Sequence, residues 1–322
     1  MRLIAWLAAV VSLSTFLSAE PAQAACGVAP AITGDLGAVT SYDLRAGPAT
    51  PTAMPATLRC TGTVLTVMST DYARATATSA NGFRLRSSGG ASIGYRLSAD
   101  SAGNVAFTQG STINYLDTSL LSLPTVLSPT NFVPTMYAAT VEKPNVPAGT
   151  YTDTVTIAWS WKICAGVGVG LGGASICVLE YSGTATSTIT VTLVVTADCR
   201  ILAPPVVFGS APFARGFAPV SQAVAVDCTQ GTNFKVAFSS GASGASRPWR
   251  AMSDGAGNRL RYNLYRADGA TIWDETNPLP GTLAGTGGTS PTQLFPYVAR
   301  IDPTSTPPAG SYSDVVSVIV TF

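Results

Sequence analysis

Six cysteines are the residues best placed for chemistry in this 322-residue chain, because histidine is absent altogether. Without histidine there is no His-dependent nucleophile triad and no His metal site. The 17 acidic residues are scattered and form no pair suited to general acid and base work, so neither catalysis nor a cofactor nor a metal is expected. The alternation Gly166-Val-Gly-Val-Gly-Leu-Gly172 lacks the Lys and the following helix of a phosphate-cradling loop. What remains is disulfide chemistry. Arg2, an apolar run from Leu3 to about Leu17 and the small-residue site Ala22-Gln-Ala24 read as a signal peptide over 1–24. Glu20 and Pro21 end that run short of the ~20 residues a membrane span requires. In an exported chain six thiols imply three bridges, for which fifteen pairings exist. Charged residues are 11% of the chain and the formal charge is +1, which marks no nucleic-acid or anionic-lipid surface.

The elements that hold these cysteines repeat. Pro147-Ala-Gly-Thr-Tyr-Thr-Asp153 returns as Pro308-Ala-Gly-Ser-Tyr-Ser-Asp314, Ile93-Gly-Tyr-Arg-Leu97 as Leu260-Arg-Tyr-Asn-Leu264, and Cys26 to Gly37 as Cys199 to Gly209. The repeat selects Cys26 with Cys60 and Cys199 with Cys228, leaving Cys164 with Cys177, each bridge contributing about 3 kcal/mol by restraining the unfolded chain. Period-two alternation between Gly, Pro, Asn and Ser clusters, with no helical periodicity, predicts an all-β chain of two Ig-like sandwiches of roughly seven strands. The halves are 25–195 and 199–322, joined by 196–198. Residues 184–195 form a closing strand in the first half, with Ile189, Val191, Leu193 and Val195 on one face and Thr on the other. The second half shows no counterpart. Tyr151 and Tyr312 sit where a tyrosine corner pins a sandwich, with Asp153 and Asp314 capping turn amides, and the same-face pair Trp159 and Trp161 is expected in the core.

The second half resembles the spore coat protein U family through Cys199-Arg-Ile-Leu202, Val207-Phe-Gly209, Val226-Asp-Cys228, Phe238-Ser-Ser-Gly241, Leu260 to Tyr265 and the closing Pro-Ala-Gly-Ser-Tyr-Ser-Asp. Two such modules behind a signal peptide resemble the tip adhesins of archaic, Csu-type chaperone-usher pili. The resemblance implies an N-terminal adhesin domain and a C-terminal pilin domain that lacks its last strand and takes one from an adjacent pilin subunit by donor-strand complementation. It also implies a periplasmic chaperone, an outer-membrane usher and a place at the cell surface, at the pilus tip. The donor-strand groove would be lined by Val316, Val318, Val320 and Phe322. Leaving such side chains wet forfeits about 1.5–3 kcal/mol each, a total comparable with the ~5–15 kcal/mol stability of a domain. With Cys26 second in the cleaved chain, no free extension is left to donate, which fits a terminal subunit.

Strand direction places the loop 163–183 at the far pole, carrying Val167, Val169 and Leu171 on a glycine-rich hairpin. The segment with Leu120, Leu121, Leu123, Val126 and Leu127 is expected at the same pole, and the 75–92 stretch around Phe83 is a third candidate. Apolar loops there point to attachment to abiotic or host surfaces and to biofilm formation. The competing readings are a stand-alone coat-type structural protein and a glycan-binding tip with Trp159 and Trp161 stacking sugars.

Overall fold

The computed structural model describes residues 25–48, 51–61, 65–66, 70–117, 120, 127–128, 131–169, 175–243, 248–281 and 292–322. Its architecture is two Ig-like β-sandwich units. The first is built on one long hairpin, Gly149–Val169 against Ser175–Thr196, in continuous antiparallel register from Gly149↔Val195 to Val169↔Ser175. Alternation explains its length. Tyr151, Val155, Ile157, Trp159 and Trp161 turn inward with Ile189, Val191, Leu193 and Val195, and all are buried, while the intervening Thr side chains face out. The expected loop 163–183 is therefore largely two-stranded ribbon, because the period-two pattern continues through the glycines and ladder bonds extend to the ribbon's end. On its outer side Ser175–Thr196 pairs in parallel with Ala31–Thr40. Tyr72–Ser79 pairs with the other edge of Gly149–Val169. A smaller sheet joins Ala25–Val28, Leu58–Thr61, Asn131–Phe132 and Leu127–Ser128.

Within this all-β architecture Ser41–Ala46 forms a short helix, capped by the Thr40 hydroxyl, which accepts from the Asp43 amide. Six residues are too few to register as a 3.6-residue period. Ser41, Tyr42 and Leu44 are its buried residues.

In the second unit a five-stranded sheet runs in the order Cys199–Leu202, Val220–Cys228, Gln293–Ile301, Arg259–Arg266, Arg250–Ser253, and faces a three-stranded one of Leu279–Pro280, Lys235–Phe238 and Val318–Thr321. Edge-to-face rings fill the space between them: Phe238 lies 4.6 Å from Trp273 and 5.0 Å from Tyr297. Disulfides join Cys26 to Cys60, Cys164 to Cys177 and Cys199 to Cys228.

The same pin recurs in both units. Tyr151 donates its hydroxyl to the Pro147 carbonyl at 2.7 Å and Tyr312 to that of Pro308 at 2.8 Å, each four residues back. The following aspartates tie neighbouring strands together. Asp153 accepts from the Tyr95 hydroxyl (2.7 Å), the Ser79 hydroxyl (2.6 Å) and the Asn81 amide (3.1 Å). Asp314 accepts from the Tyr262 hydroxyl (2.7 Å) and the Ala242 amide (3.0 Å). Burial, and then the hydrogen bond to the aspartate, hold the Tyr95 and Tyr262 phenols well above their ordinary value of 10.0.

Removing either hydroxyl leaves a carboxylate short of a donor, so Tyr95→Phe and Tyr262→Phe are each expected to cost about 1–3 kcal/mol in urea unfolding of the full chain at neutral pH. The raised phenols add a pH dependence. Below the unfolded value of 10.0 both states keep the proton; above it only the unfolded chain ionises, so stability falls as pH rises further. The two Phe variants should show a shallower alkaline loss than the parent.

Candidate strand-accepting groove and distal ribbon

The two units share a strand but close it differently. Through Tyr151 and Tyr312, the residues Val155, Ile157, Trp159 and Trp161 correspond to Val316, Val318, Val320 and Phe322. One edge is equivalent: Val318 pairs with Phe238 and Val320 with Val236, as Ile157 pairs with Ala77 and Trp159 with Ala75. The other edge is not. In the first unit it is bonded to Ser175–Thr196, which brings Ile189 opposite Val155 and Leu193 opposite Tyr151. Among the described residues no strand takes that place beside 312–321.

Side-chain burial follows the pairing. Val155, Ile157 and Trp159 are fully enclosed, whereas Val316, Val318 and Val320 pack on the core by one side only and are half-buried. Phe322, lying beyond the last ladder residue, is 68% exposed and does not pack into the groove wall as expected for it. Half-burial of three valines withholds a substantial part of the ~1.5–3 kcal/mol that each gains when enclosed.

The opposite wall was missed in the sequence. It is the segment 203–208, which follows Cys199–Leu202 and enters no ladder. Val206 and Phe208 line, with Phe238, Tyr312, Val316 and Val318, a cleft of about 330 Å³. The first unit shows what this wall is. Gly37 and Gly209, both at φ +80, mark equivalent points, so 203–208 corresponds to the part of Ala31–Thr40 that bonds to the closing strand. The signal in the sequence is Val207-Phe-Gly209, whose match to Leu36-Gly37 makes it the equivalent of the segment that flanks the closing strand in the first unit.

At the opposite end of the first unit the long hairpin outruns its support. Leu65–Thr66 pairs with it at Ala165 and Cys164; beyond Ala165 the strands pair only with each other among the described residues. Cys164 is buried, its amide donating to Asp71. Past it, Ile176, Val178 and Leu179 are exposed, Val178 by 67%. Ile176 faces Gly168 across the ladder, and glycine has no side chain to cover it. These three residues were not singled out in the sequence. The backbones of Val167 and Val169 belong to the same ribbon, and Leu171 lies outside the described residues. Leu120 requires a correction: it is 1% exposed and part of the core, its amide bonded to the Asp117 carbonyl, so it offers no contact surface. Leu121, Leu123 and Val126 lie outside the described residues, and Leu127 contributes backbone to the smaller sheet. Phe83 packs partly buried against Tyr95, ring centroids 5.9 Å apart. Trp159 and Trp161 are buried, Trp159 donating to the Thr57 hydroxyl at 2.7 Å, so neither can stack on a sugar.

The model of the Spore Coat Protein U domain matches residues 12–158 and again 185–319. The chain belongs to this family. A search of curated proteins finds no match. Among solved structures it is similar to the CsuC-CsuE chaperone-tip adhesion subunit pre-assembly complex from archaic chaperone-usher Csu pili of Acinetobacter baumannii, at 20% identity over 92% of this chain and 100% of that one, with a TM-score of 0.61. This likeness establishes a shared fold. It is also similar to the CupB6 tip adhesin from Pseudomonas aeruginosa, at 14% identity over 92% and 94% of the two chains, with a TM-score of 0.30. The second Spore Coat Protein U match starts at 185, inside the strand that closes the first unit.

The open edge has a measurable consequence. In native-state hydrogen exchange, amides of Val318–Thr321 should open at far lower free energy than those of residues 155–160, because an edge strand with half-buried side chains belongs to the low-stability end of the molecule. Equal protection of the two segments would show that the groove is closed in solution.

Proposed function

We propose that this chain is a tip adhesin subunit of a chaperone-usher pilus, exported through the periplasm, whose second unit receives a strand from an adjacent pilin subunit and whose distal ribbon grips apolar surfaces. The observation that carries this reading is the internal contrast: one groove filled by Ser175–Thr196, its counterpart open between 203–208 and 312–321. An exposed sheet edge beside an apolar cleft is the geometry for strand addition, in which ladder bonds supply affinity and alternate side chains supply fit. A periplasmic chaperone would shield the cleft before an outer-membrane usher hands the subunit to its neighbour. The terminal position is supported by the strand that opens the second family match, which is used within the chain to close the first unit. The ribbon end, with Ile176, Val178 and Leu179 uncovered, stands for the contact surface that would underlie biofilm formation.

Three buried aliphatic side chains provide at most ~5–9 kcal/mol before association costs, so a single tip binds modestly and many pili bind by avidity. Replacing Ile176, Val178 and Leu179 by Ser, alone and together with Val167, Val169 and Leu171, is expected to abolish attachment to apolar surfaces while secretion and fibre length stay as in the parent. Normal attachment by a folded six-site variant would place binding elsewhere.

A further inference from the structure

The base of the second unit repeats a surface that the first unit keeps covered. Counting from the matched glycines Gly37 and Gly209, Ser41 corresponds to Phe213 and Tyr42 to Ala214, and the matched tyrosines pair Pro147 with Pro308. In the first unit this surface is a joint. Ser41 shares a 2.7 Å hydrogen bond with the Thr229 hydroxyl, Tyr42 donates to the Asp227 carbonyl at 2.6 Å, and the Arg200 guanidinium lies 4.2 Å over the Tyr42 ring. Gly231 lies beside Pro147, where a Cβ on the glycine would sit in ordinary contact with the proline ring at 3.9 Å. The covering residues flank the Cys199–Cys228 bridge, so they form the base of a family unit beside its first disulfide. The connector is fixed as well: the Asp198 amide donates to the Thr229 hydroxyl at 2.8 Å and its carbonyl accepts from the Thr229 amide at 2.9 Å.

On the second unit the same surface is bare. The helical turn Ala214–Gly216 stands where Ser41–Ala46 stands in the first unit. Phe213 is 63% exposed, and a hollow of about 610 Å³ opens between it, Phe217, Pro308 and Tyr312. Tyr312 also lines the strand-accepting cleft, so groove and hollow adjoin at this residue. In the first unit a single covalent run fills both places: Ser175–Thr196 lies in the groove, and after the two residues Ala197 and Asp198, Cys199 begins the unit that covers the joint. The second family match contains the end of that strand and the covering unit together.

We infer that the hollow beside Phe213 is the seat for the base of a Spore Coat Protein U unit in a neighbouring chain, and that consecutive subunits meet there as the two units of this chain meet. The inference rests on the donor-strand reading of the second unit and adds a second contact to it. The neighbour supplies a strand with the alternation of residues 184–195 and, after a short connector, a cystine-bridged base that packs on Phe213, Phe217 and Pro308. The joint between subunits is then docked, not a strand followed by a free hinge.

The test uses the full chain extended after Phe322, through a flexible turn, by a second copy of residues 184–322, beside a version extended by residues 184–196 alone. As a control, Ser41→Cys with Thr229→Cys in the unextended chain reports the existing joint by a disulfide seen in non-reducing mass spectrometry. In the longer version Phe213→Cys in the original segment, with Thr229→Cys in the appended copy, is expected to crosslink to a comparable extent, and the Val318–Thr321 amides to gain protection. Protection without the crosslink would overturn the seat while leaving strand uptake standing. Protection in neither version would overturn the donor-strand reading and the seat with it.

Discussion

A β-strand carries two rows of hydrogen-bonding groups, and a sandwich also asks each strand to cover its neighbour's apolar face. Both demands fall on the segment after the Pro-Ala-Gly turn. In the first unit they are met on both edges, by Tyr72–Ser79 on one side and Ser175–Thr196 on the other. In the second unit, among the described residues, only Lys235–Phe238 forms a ladder with the corresponding strand. The missing ladder bonds alone are tolerable, because water can satisfy exposed amides. The half-buried valines and the half-buried wall at Val206 and Phe208 are not so easily compensated, since water gives nothing back to apolar surface. On the proposed reading, this constraint is what makes the second unit an assembly component.

Such a unit must still fold well enough to hold its groove open. The aspartate pin answers this requirement, because none of its partners lies on the absent strand. Asp314 draws its donors from Tyr262, Ala242 and Ser243, and Tyr312 bonds within its own turn. The start of the last strand is thereby anchored to the side of the sandwich that is complete. Isolated bonds add to this: Ser253 and Ser313 exchange amide and carbonyl at 2.8 and 3.0 Å. The groove wall is therefore positioned by polar contacts at one end and by the ladder at Val318–Thr321 at the other, leaving the intervening valines free to receive a partner.

How much of this was legible in the sequence depended on the kind of signal. Period-two alternation and the repeat made the strand character of Gly149–Val169 and the tyrosine corners legible, because both are local patterns. The fate of Leu120 was not legible: a leucine-rich loop reads the same whether it projects or folds back onto a core, and here Leu120 folds back. The exposure of Ile176, Val178 and Leu179 was not legible either, because it belongs to the strand facing the glycine-alternating one and depends on the cross-strand register, which sets Gly168 opposite Ile176. The helix Ser41–Ala46 and the opposite wall of the groove required three dimensions, since the helix bonds to Thr229 and Asp227, 188 and 185 residues away, and Phe208 of the wall packs edge-on against Tyr262.

The strand that closes the first unit has a composition suited to that place. Residues 184–195 place Ile189, Val191, Leu193 and Val195 on one face and Thr on the other. Threonine is β-branched, so it favours the extended conformation as strongly as valine does, yet its hydroxyl keeps the outer face wettable. A strand of alternating aliphatic and Thr residues is thus preorganised for a ladder while presenting a single apolar row. Placed in a groove, that row is enclosed by the wall on either side, as Ile189 and Val191 are, and the Thr row completes a polar outer surface. An all-aliphatic strand would gain nothing inside the groove and would add an adhesive outer face prone to pairing with other chains. The same chemistry that closes the first unit in cis is therefore what a separate strand needs in order to close the second.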